Sequence, residues 1–269
     1  MTRLGAYPAV VPPADDTKVW RYMDFAKFVS ILDRKELFFC RADKFDDPLE
    51  GTTPAFNRKI RMELYQKHYP DTKKEQLEDM FSQFDAFLTQ RRSKVLVNAW
   101  HMNEVESAAM WDLYSQRNSG IAIQTNYRRL SDSLDKSNSD EIYIGMVKYI
   151  DFNREWMDEG NLHYPFLHKR KSFEHEKELR AFTELPVEGV RHVIPDHGEP
   201  YDEIVKDKSD PKQKTENGKY VTVDVDKLIE FVYVSPRAPK WLGDLVKGVV
   251  ARYGLRQDQI INSDLYSVT

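Results

Sequence analysis

Residues 169–182 read KRKSFEHEKELRAF, a densely charged stretch that ends in alternating polar and apolar positions. In a β-strand successive side chains point to opposite faces, so Glu176, Glu178 and Arg180 would share one face. The apolar residues between them would lie on the other face, against the protein core. The spacing therefore predicts a strand over 176–183 that presents two carboxylates and a guanidinium together.

This charged strand has two interpretations. Carboxylates at positions i and i+2 repel each other, and a nearby arginine can hold both ionised and oriented for chemistry. An exposed edge strand that carries charges for solubility fits the same spacing as well. The spacing alone leaves both interpretations open.

Strand and helix patterns alternate irregularly along the rest of the chain. Asp24 is a suitable N-cap for a helix whose apolar residues recur at i, i+3, i+4 and i+7, and the apolar run 37–40 predicts a buried strand. Further strands are predicted at 95–100, 121–124, 142–150, 220–225, 231–235 and 260–261, and further helices at 104–116, 161–171 and 241–253. This order favours an α+β fold over a doubly wound sheet.

Two segments differ from this pattern and are predicted to be insertions. Between 54 and 92 the composition becomes polar and helix-forming, which predicts a helical insert on the core. Residues 186–218 contain four prolines and many polar residues, which predicts a long loop or an insertion. Because no repeat or linker is recognisable, we expect residues 1–269 to form a single domain that includes both inserts.

Composition narrows the class of protein. The 40 basic and 44 acidic residues nearly balance, so no global field would attract nucleic acid, although a local basic patch such as 169–171 remains open. Cys40 is the single cysteine, which excludes an internal disulfide and a cysteine-rich zinc module. No apolar run approaches the roughly 20 residues that span a bilayer, and 1–16 lacks a signal-peptide pattern. We therefore expect a cytoplasmic protein with no membrane partner.

A polar and aromatic helix face is one candidate for ligand binding. Trp100 and His101 come directly off a predicted strand, and the next helix places Ser107, Trp111 and Tyr114 at i, i+4 and i+7. Such a face can stack on a planar ring and bond its edges. An aromatic stripe at helical spacing is more often part of the core, so this alternative stays open.

Two arginines at strand ends are a second candidate. Arg21 precedes the first predicted helix, and Arg41 ends the phenylalanine-rich strand. Arginines in these positions can hold a pyrophosphate in bidentate fashion, or they can pair with the acidic residues of 43–47. Cys40, beside Phe39, is expected to be an inert thiol.

Four blocks of the sequence resemble one family. No glycine-rich phosphate loop, HExxH, GxSxG or kinase signature is present. The blocks read WRYM at 20–23, LFFCRADKFDDPLEG at 37–51, WHMNEVESAAMW at 100–111 and FEHEKELR at 173–180, and they occur in this order. In these blocks the chain is similar to the bacterial domain of unknown function family 2971. Residues after 182 carry no corresponding motif.

Members of that family resemble a divergent branch of the ADP-ribosyltransferases, and related sequences occur in toxin–antitoxin and phage-defence settings. The resemblance implies an ADP-ribosyltransferase-like split β-sheet core and, without a metal, transfer of ADP-ribose from NAD to a macromolecular acceptor. The acceptor implied is a protein or a nucleic acid such as RNA. The same setting implies a bacterial toxin or phage-defence effector, with an antitoxin as a further partner.

The resemblance also assigns catalytic residues. In that fold an Arg or His lies on the first strand, an aromatic or Ser-containing strand comes second, and a Glu, often within Glu-x-Glu, lies on a later strand. Arg21 is similar to the first element, 38–41 to the second, and Glu176 with Glu178 to the third. The catalytic residues implied are therefore Arg21, Glu176 and Glu178.

The residue types suit the implied chemistry. Breaking the bond between nicotinamide and ribose passes through an oxocarbenium-like centre, as glycoside hydrolysis does. By the resemblance, Glu178 bonds a ribose hydroxyl and faces the developing cation, which stabilises the transition state more than the ground state. Glu176 orients or deprotonates the acceptor.

The remaining residues would hold the co-substrate. The resemblance implies that arginines grip the phosphates while an aromatic residue stacks on nicotinamide. The full set expected to bind NAD is Arg21, Tyr22, Arg41, Trp100, His101, Ser107, Trp111 and Tyr114.

The chain departs from the family pattern at one position. Cys40 stands where Ser or Tyr is usual, so Arg41, Ser107 and Tyr114 stay open as the middle residue of the triad. This departure supports an alternative function from another class. That alternative is a non-catalytic module on a degenerate transferase fold, which binds a nucleotide or a partner protein.

Overall fold

The strands of the protein build a mixed α+β structure, as the irregular order of sequence patterns predicts. The computed structural model describes residues 10–115, 118–134, 141–185, 189–193, 201–205, 212 and 214–267. Its strands are β1 (Lys18–Asp24), β2 (Glu36–Arg41), β3 (Val95–Met102), β4 (Gly120–Asn126), β5 (Tyr143–Met146), β6 (Lys148–Ile150), β7 (His168–Arg170), β8 (Glu178–Glu184), β9 (Gly189–Val193), β10 (Tyr201–Val205), β11 (Lys214–Thr215), β12 (Gly218–Thr222), β13 (Phe231–Val234) and β14 (Ile260–Asn262).

The helices are short to medium in length. They are α1 (Phe25–Arg34), α2 (Ala55–His68), α3 (Lys74–Arg91), α4 (Ala108–Tyr114), α5 (Tyr127–Ser133), α6 (Tyr164–Leu167), α7 (Val225–Leu228) and α8 (Lys240–Arg252). The segment 54–92, for which composition predicts a helical insert, forms α2 and α3. Of the helices within the described ranges, none is both long and apolar enough to cross a membrane.

One large sheet organises the fold. Its strand order is β11-β12-β2-β3-β1-β4-β13-β14, with β8 also on β3 and β5 on β8. Neighbouring strands run antiparallel except for β13 and β14, which are parallel. The sheet is therefore mostly antiparallel, with its helices distributed over both faces.

Strand β3 has two different partners on one edge, and this opens the sheet. On one edge of β3, every residue of strand β8 pairs with β3. On the opposite edge, β2 pairs only with the first half, where Cys40 faces Val97, and β1 pairs only with the end, where Trp20 faces His101. Since β1 and β2 diverge between these points, the sheet splits beside residues 98–100.

Side chains bond the backbone groups that the split exposes. Asn98 Nδ2 donates to the Phe38 carbonyl at 2.8 Å, and Asn98 Oδ1 accepts from Trp100 Nε1 at 2.7 Å. Arg21 Nη1 donates to the Ala99 carbonyl at 2.5 Å. Buried backbone carbonyls require such partners wherever a ladder is interrupted. The split is thus stabilised by polar side chains.

The main apolar core lies on one face of the sheet. Phe28 of α1, Leu130 of α5 and Val246 of α8 are fully buried there against the strands. Burying each such side chain stabilises the fold by about 1.5–3 kcal/mol. Asp24 caps α1 by accepting from the Lys27 amide at 2.9 Å, as its position before the helix predicts. The opposite face carries smaller apolar clusters and the candidate site.

Two predicted elements near the charged stretch have different bounds. The predicted helix 161–171 is shortened to α6, and β7 follows at once. The prediction that Glu176 lies on the strand is wrong, because it ends a 3-10 helix, Lys171–Glu176. Lys177 then adopts a left-handed φ of 41° that turns the chain before β8 begins.

The predicted insertion 186–218 contains strands. Gly189–Val193 and Tyr201–Val205 pair as the antiparallel strands β9 and β10, and Lys214–Thr215 pairs with the start of β12. The other residues of this segment, apart from 212, 216 and 217, lie outside the described residues. The described part of the predicted loop therefore consists largely of hairpin strands.

We expect opposite effects from two glycine-to-alanine substitutions. A Cβ at Gly218 would lie 2.1 Å from the Phe39 carbonyl oxygen, so Gly218→Ala should cost about 3 kcal/mol of unfolding free energy. Gly248 lies inside α8 with open space around its Cβ position, so Gly248→Ala should add about 0.5–1 kcal/mol. Urea denaturation measures both, and equal effects would contradict the close approach at Gly218.

Candidate active site

A cavity of about 650 Å³ lies at the split in the sheet. Its volume is in the range of pockets that bind small molecules and cofactors. The predicted site residues on its lining are Arg21, Tyr22, Trp100, His101, Tyr114, Glu176 and Glu178. The fold therefore brings most of the predicted residues to one place.

Two residues of the predicted helix face have other positions. The common face of Ser107, Trp111 and Tyr114 does not form, because α4 begins only after Ser107. The Ser107 hydroxyl caps that helix, and Trp111 is buried with its Nε1 donating to Glu106 at 2.8 Å. Neither residue lines the cavity, and packing against the sheet explains the position of Trp111.

Several basic residues are held by internal ion pairs. Arg41, expected to hold phosphates, does not line the cavity and pairs with Asp43 at 2.6 Å. In the predicted basic run, Arg170 pairs with Asp47 at 2.9 Å and Lys169 is buried among carboxylates. The run 169–171 is consequently not an open basic patch.

Five buried residues form a charge cluster beside the cavity. These residues, the buried charge cluster, are each at most 7% exposed and are Glu50, Lys169, Glu176, Glu178 and Arg180. Lys169 Nζ lies 2.5 Å from Glu176 Oε2 and 2.6 Å from Glu178 Oε1. Arg180 donates from Nε to Glu178 Oε2 at 2.7 Å and from Nη2 to Glu50. Three carboxylates against two cations leave one excess negative charge when all are ionised.

The excess charge is removed by one proton. Burial, followed by a hydrogen bond with Glu178, raises the pKa of Glu176 to about 7. Burial opposes ionisation of Glu178 as well, yet the Arg180 guanidinium and a hydrogen bond with Glu176 hold the pKa of Glu178 well below its usual range. Environments that push two neighbouring carboxyl pKa values apart are typical of acid and base roles. At neutral pH Glu178 is a carboxylate and Glu176 titrates.

Two tyrosines contact this carboxyl pair. The Tyr149 hydroxyl accepts from the Glu178 amide at 2.8 Å, and the Tyr114 phenol lies close enough to Glu176 for this carboxyl to help raise its pKa. Burial raises the pKa of both phenols above the usual range, so both stay protonated. Of the three residues left open for the middle triad position, Tyr114 lines the cavity, whereas Arg41 and Ser107 do not.

Arg21 places a positive charge in the split. Burial lowers the pKa of its guanidinium to about 10, so it stays charged at neutral pH. Within the described ranges, no carboxylate oxygen lies within 4.0 Å of it; its Nη1 donates to the Ala99 carbonyl, and it lies 5.8 Å from the Trp100 ring centroid. A guanidinium carries five N–H donors, so others remain for an anion.

His101 presents a neutral ring to the cavity. Burial lowers its pKa, and its Nδ1 lies 2.6 Å from the Glu176 carbonyl oxygen. In the neutral ring Nδ1–H donates to that carbonyl, which leaves Nε2 as an acceptor. Nε2 is buried and has no hydrogen-bond partner among the described residues. Cys40 also lines the cavity, and burial raises the pKa of its thiol, which keeps it protonated.

Sequence reasoning missed three residues at the carboxyl pair. Glu50 lies inside the block 37–51, but nothing in the local pattern indicates that it reaches Arg180. The basic run 169–171 indicates a possible local basic patch and gives no sign that Lys169 lies between carboxylates, and no local signal marks Tyr149. For Glu50 the sequence offers one signal, which is an acidic side chain in a loop that consists mainly of residues typical of turns.

The arrangement combines groups suited to a phosphorylated sugar. An ionised carboxylate faces the cavity beside a carboxyl that titrates near neutral pH, and a guanidinium lies in the split. No protein-family model, curated protein or solved structure matches the chain. The chemistry of the site is therefore inferred from its own residues.

Glu176→Gln should change how stability depends on pH. The folded-state pKa of Glu176, about 7, lies above the unfolded value, so its stabilising contribution is complete at low pH and is lost as pH rises through about 7. We expect wild type to lose about 1–2 kcal/mol more than Glu176→Gln between about pH 5 and pH 8. Urea denaturation at both pH values measures this, and parallel pH profiles would contradict the raised pKa of Glu176.

Proposed function

We propose that this chain is an NAD-dependent ADP-ribosyltransferase on an ADP-ribosyltransferase-like split sheet. One observation carries the proposal: a single cavity at the split is lined by an ionised carboxylate, a carboxyl that titrates near neutral pH and a guanidinium without a carboxylate partner among the described residues. The acceptor is a macromolecule, either a protein or a nucleic acid. The role as a bacterial toxin or phage-defence effector with an antitoxin rests on the family resemblance.

The proposed reaction breaks one bond and forms one. The bond between ribose C1′ and the nicotinamide nitrogen breaks, and neutral nicotinamide leaves with the electron pair. The Glu178 carboxylate stabilises the positive charge that develops on the ribose. An acceptor nucleophile bonds to C1′ and gives its proton to ionised Glu176. A base with a pKa near the working pH is the most effective for this step.

The charges also orient the co-substrate. When Glu176 is ionised, the buried charge cluster carries one excess negative charge and repels phosphates, whereas Arg21 at the split attracts them. The nicotinamide ribose then lies towards Glu178. Tyr114, half exposed at the cavity and close to Glu176, is the proposed middle residue of the triad.

A nucleotide-binding module without catalysis is the second candidate. Glu178 already accepts one hydrogen bond on each carboxylate oxygen, from Lys169 and from Arg180. These internal hydrogen bonds, with Cys40 in place of Ser or Tyr, favour binding without turnover. Incubation with labelled NAD and a lysate separated into protein and nucleic-acid fractions discriminates the two. Label in one fraction supports transfer and identifies the acceptor class, and label in neither supports the module.

Glu178→Gln should abolish catalysis. The substitution keeps the shape of the side chain and removes its charge, so we expect NAD consumption to fall by at least about a hundredfold. Glu184→Gln is the matched control, because Glu184 lies on the same strand and pairs with Arg91 away from the cavity. Near-UV circular dichroism and ADP binding verify the fold. Wild-type turnover by folded Glu178→Gln would refute the catalytic assignment.

The rate should report the titration of Glu176. Because the base must be ionised, kcat/KM for transfer should rise about tenfold per pH unit below about 7 and level off above it. Glu176→Gln should lose about a hundredfold of transfer rate and this pH dependence, while NAD still binds. Glu174→Gln, exposed on the same 3-10 helix, serves as control. An unchanged pH profile in Glu176→Gln would exclude the base role.

A further inference from the structure

An aromatic pair lines the cavity away from the buried charge cluster. Phe38 of β2 and Tyr220 of β12 face each other directly in the ladder, with ring centroids 5.0 Å apart. Both are half-buried, both line the cavity, and neither belongs to an apolar core cluster. Their burial is therefore not explained by core packing.

The fold holds the two rings in place. Strand alternation buries Leu37 and Phe39 in the main core and turns Phe38 to the opposite face. Gly218 allows the Phe38 ring to approach, since a Cβ there would lie 2.8 Å from the ring tip. The Arg34 guanidinium lies 3.9 Å from the Tyr220 ring centroid. A preorganised aromatic surface binds a planar ring with little loss of side-chain entropy.

The cavity has a charged end and an aromatic end. Phe38 and Cys40 lie on the same face of β2, and Cys40 is opposite Val97 of β3. The register of β3 with β8 places Glu178 on this same face of the sheet. Strands β2 and β12 lie on one edge of β3, and β8 with the charge cluster lies on the other. Arg21 bonds to β3 inside the split, between these two ends.

We propose that Phe38 and Tyr220 form the subsite for the adenine base of a nucleotide whose phosphates lie at Arg21. Aromatic rings bind nucleobases by stacking on their faces, and both rings line the cavity. The assignment of adenine rests on the proposed function, because that function places the nicotinamide ribose at Glu178 at the other end. The two bases of NAD are thereby separated across β3.

The test compares two halves of the dinucleotide as probes. ADP carries the adenine half, and nicotinamide mononucleotide carries the other half. Tyr220→Leu keeps bulk but removes the aromatic face, and Phe38→Leu does the same across the ladder. Each substitution should weaken ADP binding by about tenfold in calorimetric titration. The affinity for nicotinamide mononucleotide should equal that of wild type. Tyr220→Phe should restore ADP affinity.

The control and the outcomes separate this inference from the proposed function. Tyr253→Leu alters an exposed tyrosine outside the cavity lining and should leave both affinities unchanged. If Phe38→Leu and Tyr220→Leu weaken ADP binding while neither wild type nor any variant consumes NAD, the subsite is supported and the transferase function is overturned. NAD consumption with unchanged ADP affinity in Phe38→Leu and Tyr220→Leu would overturn the subsite. Equal weakening of both probes, or no ADP binding by wild type, would also overturn it.

Discussion

The buried charge cluster is the constraint on which the candidate site depends. Three carboxylates and two cations are removed from water beside the cavity, and removing one partner of such a pair costs about 3–5 kcal/mol. The cluster joins the loop before α2, the strands β7 and β8 and the 3-10 helix between them. Its excess carboxylate is also what retains a proton on Glu176, so stability and proposed chemistry share one cause.

The second constraint is the divided edge of β3. Because β1 and β2 each pair with only part of that edge, a gap opens where Arg21 and Asn98 replace ladder hydrogen bonds. The gap gives the cavity its place, and the strands on its two sides give it different ends. A dinucleotide that needs a cation for its phosphates and a carboxylate for one ribose suits this division.

Local patterns predicted the site unevenly. Alternation correctly placed Glu178 and Arg180 on one face of β8, with Leu179 and Ala181 in the core. It failed for Glu176, because the left-handed turn that precedes β8 interrupts the period, although the side chain still reaches Lys169. Helical spacing failed for Ser107 because a serine before a helix bonds the free amides of the first turn.

The sequence by itself determined the α+β class, most strand and helix positions and the residue types available for chemistry. These follow from backbone geometry, whose periods of two and 3.6 residues depend only on near neighbours in the chain. The tertiary structure alone decided which charges meet, where the sheet splits and which carboxyl keeps a proton. Those properties depend on loss of water and on charges from distant segments, such as Glu50 beside Arg180, and no local pattern encodes them.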